Sequence, residues 1–153
     1  MLKPRVPPVL LGFLTAAFVC ISGVETPAAS IVTIAGNVSL TVNSAISVGG
    51  GLAPGSDSTT YTVTNTIGTK KLVGRLSTAM PSNTTLQIQL AAPSGATSAG
   101  VVTLTASDQN LVTGIGLVSE VGLDMTFTLS ATVQAGLLSP GTRTLTLTLV
   151  DAP

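Results

Sequence analysis

The chain has 153 residues, of which 6 are Lys or Arg and 6 are Asp or Glu, so its formal net charge is zero. That length fits one globular domain of roughly 100 to 200 residues, and the lack of a basic surplus argues that nucleic acid is not a partner. Charged residues make up only 8% of the chain, against about 25% in typical soluble proteins. Ser and Thr hydroxyls must therefore face the solvent, while the recurring aliphatic residues predict a packed core and argue against disorder.

The N-terminal region has the three parts of a secretory signal peptide. Lys3 and Arg5 give the basic start, an apolar run follows over 9–24, and small residues come next. We therefore predict a signal peptide at 1–29, a single domain at 30–153, and a secreted or cell-surface location, extracellular or periplasmic. The run is shorter than the roughly 20 residues that span a bilayer, and no later segment is a spanning candidate, so no membrane span is expected in the mature chain.

Two alternatives to cleavage are a retained membrane anchor and a lipid anchor on Cys20. The apolar run is short for an anchor, and Val19 precedes Cys20 where lipoprotein processing needs a small residue. Since Cys20 is the one cysteine of the chain, cleavage leaves a domain that no disulfide can stabilise. Its stability must come from packing and strand pairing.

The first segment after the predicted signal has apolar residues at every second position, with one Gly gap. Its apolar face consists of Val32, Ile34, Gly36, Val38, Leu40 and Val42. The segment resembles the N-terminal extension by which pilins of the chaperone-usher class complete a neighbouring subunit. The resemblance implies strand exchange between subunits, and the alternative is that the segment is the first strand of the domain's own sheet.

The rest of the chain is a series of short strand patterns separated by turn residues. Alternation predicts strands at 59–65, 70–77, 85–90, 101–106, 110–115, 125–133 and 143–149. Turn clusters are predicted at 49–51, 53–57, 67–68, 81–83, 93–95, 107–108 and 139–141. This spacing predicts an all-β fold, an immunoglobulin-like antiparallel sandwich of about eight strands with Greek-key connections. A small barrel is the alternative, and the lack of a repeat of fixed length disfavours a solenoid.

Two stretches resemble bacterial surface proteins. The range 51–65 has a Pro-Gly turn that leads into a strand ending in Asn65, and Ala135-Gly136 precedes a final Thr-rich strand. The second stretch is similar to the closing hairpin of spore-coat-U-like and pilin-like domains. The cysteine pair of many pilins is missing here. The resemblance implies the sandwich architecture and suggests a surface subunit.

The residue inventory argues against most enzyme mechanisms. The chain has no His, and its cysteine lies in the predicted signal, so Ser-His-Asp, Cys-His and ordinary zinc sites cannot be assembled. The acidic residues that cleavage leaves are Asp57, Asp108, Glu120, Asp124 and Asp151. All but Asp151 fall in or beside predicted turns, which is typical of solvated loop groups and not of a glycosidase pair or a calcium loop. We expect no enzyme activity, no cofactor and no metal site.

Composition also disfavours two kinds of binding surface. Sugar-binding modules present aromatic platforms, and only Tyr61 and Phe127 remain after signal removal, with Phe127 predicted to lie in the core. Thr144, Thr146 and Thr148 form a hydroxyl array of the kind that could order water on ice. The same array is the ordinary solvent side of a half-buried strand.

The leading functional hypothesis is therefore an exported, non-enzymatic surface structural subunit, pilus-like or coat-like, that self-associates or joins related surface subunits. The alternative is an exported binding or adhesion module whose first strand is intramolecular. The two hypotheses differ in whether the segment from Val32 to Val42 pairs between chains or within one chain.

Overall fold

The computed structural model describes residues 30–42, 52–135 and 141–152, together with the backbone of residues 14–16. Most of the predicted signal peptide at 1–29 and the predicted turn residues 49–51 and 139–140 lie outside the described residues. The described residues form an all-β fold in which two antiparallel sheets, one of five strands and one of four, pack as a sandwich, and a third sheet has three strands. The all-β prediction is confirmed at this level.

The strands in chain order are β1 Leu14–Ala16, β2 Ile31–Ala35, β3 Val38–Leu40, β4 Gly55–Asn65, β5 Lys70–Leu76, β6 Thr84–Leu90, β7 Thr97–Ser98, β8 Val101–Thr103, β9 Gln109–Ile115, β10 Val118–Ala131, β11 Gly141–Arg143 and β12 Leu145–Asp151. A single 3₁₀ turn, Val133–Ala135, follows β10, and the described ranges contain no α-helix. The sequence predicts about eight strands because alternation cannot reveal segments of two or three residues.

The five-stranded sheet has the order β2-β4-β10-β6-β8. Its central pair is long, with β10 antiparallel to β4 from Val118 opposite Asn65 to Leu129 opposite Gly55. A bulge between Glu120 and Leu123 interrupts the register. Sequence alternation predicts only the second half of β10, because a bulge shifts the side chains by one position and hides the period of two.

The four-stranded sheet has the order β12-β5-β9-β7. Its inner strand β5 passes so close to its neighbours that a Cβ on Gly74 would lie 2.7 Å from Cδ1 of Leu111 and 3.1 Å from Cδ2 of Leu147. A larger residue at this position would push the two leucine side chains aside, so Gly74 leaves them room over the strand.

The core lies between the two sheets and is built from the alternate positions of each long strand. On the five-stranded sheet it includes Tyr61, Val63, Leu86, Ile88, Leu90, Met125, Phe127 and Leu129, and on the four-stranded sheet Leu72, Leu76, Leu111, Ile115, Leu145 and Leu147. Val38, Leu40 and Val42 close one side of this core. The prediction that Phe127 lies in the core is confirmed, since it is buried there.

Several predicted boundaries are wrong: the strand predicted at 125–133 ends at Ala131, and the strand predicted at 143–149 runs from Leu145 to Asp151. Two others have local reasons. Residues 55–57, predicted as part of a turn, belong to β4, where they pair with the end of β10. Strand β8 ends at Thr103 and not at residue 106, because the chain then turns at Thr105, whose Oγ1 accepts bonds from Ser107 N at 3.1 Å and Gln109 Nε2 at 3.0 Å.

Candidate functional site

The predicted exchange segment forms two strands and not one. The chain bends at Gly36, whose φ of +87° lies in the left-handed region that favours glycine. Val32 and Ile34 lie in β2 and are half-buried. Val38, Leu40 and Val42 lie in or just after β3 and are only 3%, 2% and 2% exposed. Apart from the exposed Gly36, the apolar face of the sequence pattern therefore faces the domain's own interior, partly at Val32 and Ile34 and fully at Val38, Leu40 and Val42.

Strand β2 pairs within the chain. It runs antiparallel to β4, with Val32 opposite Val63 and Ile34 opposite Tyr61. It is also an edge strand of the five-stranded sheet, and no second strand pairs with it among the described residues. None of its residues is fully buried, and Ile31 is 50% exposed. This strand thus combines an in-chain partner with a free backbone edge.

A buried amide holds the start of β2 in place. Asn65 is 1% exposed, and its Oδ1 accepts a hydrogen bond from Ser30 Oγ at 2.6 Å. Its Nδ2 donates to the carbonyls of Gly68 at 3.0 Å, Ile115 at 3.0 Å and Gly116 at 2.9 Å. The sequence marks Asn65 only as the end of a strand, but its place on the alternation of Tyr61 and Val63 is a signal for a buried polar group.

Strand β3 belongs to a third, small sheet with the order β11-β1-β3. β1 runs antiparallel to β3, with Leu14 opposite Leu40 and Ala16 opposite Val38. On its other side, β3 is held by Asp57, whose Oδ2 accepts a bond from Ser39 N at 2.9 Å. Because successive peptides of a strand point to opposite sides, the main-chain groups of Val38 and Leu40 face β1.

The second edge strand of this small sheet is β11. It runs parallel to β1, with Leu14 opposite Gly141 and Ala16 opposite Arg143. Directly after β11, the backbone of Thr144 is hydrogen-bonded to Ser77 and not to β1. Ser77 N donates to Thr144 O at 2.8 Å, and Thr144 N donates to Ser77 Oγ at 3.2 Å. In the described ranges, β3 and β11 are joined only through β1. We call the space between their facing edges the β3–β11 slot.

The acidic side chains are not gathered into one site. Asp57 binds the backbone near β3, Glu120 Oε1 accepts a bond from Ser94 N at 2.8 Å, and Asp108 Oδ1 lies 3.8 Å from Arg75 Nε. No group of three His, Cys, Asp or Glu residues in the described ranges could hold a metal ion. These carboxylates act as separate local acceptors.

Tyr61 is the aromatic residue at the centre of β4, and it points inward. It is 1% exposed, and its hydroxyl donates to the carbonyl oxygen of Ala91. Burial, together with the negative charge of Glu120, raises the pKa of Tyr61 to about 12. With Phe127 also buried, neither of these side chains presents a ring to the surface.

No known protein family matches the chain, and no curated protein matches it. The described ranges contain no helix that is long and apolar enough to cross a membrane. The fold and the site define an all-β sandwich in which the edges of β3 and β11 are bridged by β1, a strand from the N-terminal region. The resemblance to pilin-like and spore-coat-U-like domains stays a prediction.

Proposed function

We propose that this protein is an exported, non-enzymatic structural subunit of a cell-surface assembly, which joins copies of itself or related surface subunits by strand pairing. We further propose that its sandwich is immunoglobulin-like with Greek-key connections. The chain alternates between the two large sheets from β4 to β10, and β10 returns to lie between β4 and β6. Such returns to non-consecutive neighbours support the Greek-key assignment.

The observation that carries the proposal is the β3–β11 slot. The strand that fills it, β1, lies inside the predicted signal peptide, so the domain predicted at 30–153 has two facing strand edges with no strand of its own between them. Unpaired edges with buried apolar residues behind them favour pairing with another chain. Val38 and Leu40 supply such an apolar wall.

We propose that only part of the predicted exchange segment pairs between subunits. Removing β3 from its own domain would open the core at Val38 and Leu40. β2 is half-buried on a free edge, so it can leave β4 at a smaller cost. We therefore assign the donor role to β2, through Val32 and Ile34, and the acceptor role to β3.

The test compares two charges on opposite faces of β2. In protein recovered outside the cytoplasm, Ile34→Asp places a charge where an apolar contact is needed, and we expect folded monomers in size-exclusion chromatography with light scattering. Thr33→Asp puts the same charge on the exposed face and should leave the assemblies of the wild type, visible by negative-stain microscopy. A wild-type protein that is monomeric at high concentration, with its N-terminal segment protected from proteolysis, would remove the assembly proposal.

A second candidate function is an exported binding or adhesion module with an intramolecular first strand. The in-chain pairing of β2 with β4 and the bond from Ser30 to Asn65 favour it. Under this candidate Ile34→Asp lowers stability without changing the oligomeric state. The same chromatography therefore separates the two candidates.

A further inference from the structure

The middle strand of the small sheet comes from a part of the chain that the sequence predicts to be cut off. β1 covers Leu14–Ala16, within the apolar run of the predicted signal, yet it is in register with both β3 and β11. Its pairing with β11 joins positions more than a hundred residues apart in the sequence. A segment predicted only to direct export therefore also has a place in the fold.

We propose that β1 is a removable strand: it closes the β3–β11 slot while the precursor is intact, and proteolytic processing opens the slot for a strand of a second copy of this chain. The proposal rests on the proposed function, since it assumes export and assembly. The chemical step is hydrolysis of one peptide bond between β1 and Ser30 by a leader peptidase. Water adds across that bond and leaves a carboxylate on the released peptide and an amine on the domain.

The backbone geometry shows what removal of β1 does. The N–H and C=O groups of Val38 and Leu40 face β1, because Ser39 N is bonded to Asp57 on the other side. Without β1 these groups have no strand partner while their side chains remain in the core. Buried or half-buried backbone groups need partners, so the open slot has both the polar edge and the apolar wall that a new strand would satisfy.

The first experiment follows amide hydrogen exchange in the unprocessed full chain, with a specific protease site inserted between β1 and residue 30. In the intact chain we expect slow exchange at the amides of Val38 and Leu40. After cleavage and removal of the N-terminal peptide, at a concentration too low for assembly, exchange at both amides should become at least tenfold faster, whereas Ile88 in β6 should be unchanged. Equal exchange at Val38 and Leu40 before and after cleavage would overturn the proposal.

A second experiment breaks β1 without cutting the chain. Ala16→Pro removes the backbone N–H that faces Val38 and disfavours pairing with β3, so the uncut variant should behave like the cleaved wild type. Ala16→Ser keeps the N–H and is the matched control, which should stay closed. Ala16→Pro that keeps slow exchange at Val38 and Leu40 would contradict the proposal.

An engineered disulfide tests the register between β1 and β3. Thr15 is opposite Ser39, and because Ser39 N points to Asp57 this is a non-hydrogen-bonded pair, with Cα atoms about 4.5 Å apart, within the range that a disulfide spans. In a Cys20→Ser background, Thr15→Cys with Ser39→Cys should crosslink on oxidation and keep the cleaved protein closed and monomeric. Thr15→Cys with Ser58→Cys, in β4, should not crosslink. Failure of the first pair to crosslink would place β1 elsewhere and overturn the proposal.

The outcomes separate this proposal from the proposed function. Cleaved protein that loses protection at Val38 and Leu40 but stays monomeric at every concentration supports β1 as a removable strand and removes self-assembly. Protein that assembles equally well before and after cleavage, with no change in protection, supports assembly and removes the role of β1.

Discussion

A substitution at Leu40 tests whether the predicted exchange segment packs in the core of its own domain or in that of a second chain. Leu40 is 2% exposed and lies in the core cluster of its own domain. Truncating such a leucine to alanine typically costs about 2 to 5 kcal/mol, and we expect about 3 kcal/mol for Leu40→Ala. With a urea m-value of about 2 kcal/mol/M, the unfolding midpoint should fall by about 1.5 M. Tyr61 is the one tyrosine and the chain has no tryptophan, so its fluorescence can follow unfolding from within the core.

Ile34→Ala is the matched control, because the two positions share the apolar face of the segment but Ile34 is only half-buried. Its expected cost is about 1 kcal/mol, in line with the smaller apolar area that it removes from water. Equal and small costs at both positions would refute the assignment of Leu40 to its own core.

Three further substitutions test the site. Gly36→Ala should destabilise by about 1 to 2 kcal/mol because of the positive φ, whereas an uninterrupted exchange strand would be stabilised by the same change. Asn65→Ala leaves three carbonyls without their donor and should cost about 2 to 4 kcal/mol in urea unfolding, with little effect from the exposed Asn37→Ala. Since the pKa of Tyr61 is raised to about 12 in the fold from about 10 when unfolded, stability should be intact below pH 10 and fall by about 2 to 3 kcal/mol as the pH rises to 12. Tyr61→Phe should lack this loss, and a tyrosinate absorbance midpoint near pH 10 in the folded protein would contradict it.

Alternation predicts which side chains face inward wherever a strand is regular. Leu86, Ile88 and Leu90 are buried as their pattern indicates, and so are Leu145 and Leu147. The first half of β10 is missed because the bulge around Gly122, with φ of +70°, breaks the period. The assignment of each strand to a sheet could not be predicted, because register depends on contacts between residues far apart in the sequence.

Even less of the candidate site could be predicted from the sequence. The pattern from Val32 to Val42 indicates the inward face correctly, but a glycine within a strand pattern is compatible with either a continuous strand or a bend, so the break at Gly36 could not be predicted. β1 could not be predicted at all. Its residues lie in an apolar run without alternation, and its strand partners are β3 and β11.

Mass action explains why a temporary strand would come from the same chain as the slot. While β1 is covalently attached, its local concentration at the β3–β11 slot is on the order of millimolar, the effective concentration that linked binding partners reach. A second copy in a dilute cell compartment is present at far lower concentration, so it cannot displace β1 even when the two strands bind the slot equally well. Under the proposal, hydrolysis between β1 and Ser30 would make β1 a free peptide that diffuses away, and a β2 strand of a second copy would then enter the open slot. The order of closure, processing and assembly would therefore follow from effective concentration alone, without any change in the contacts that β3 and β11 offer.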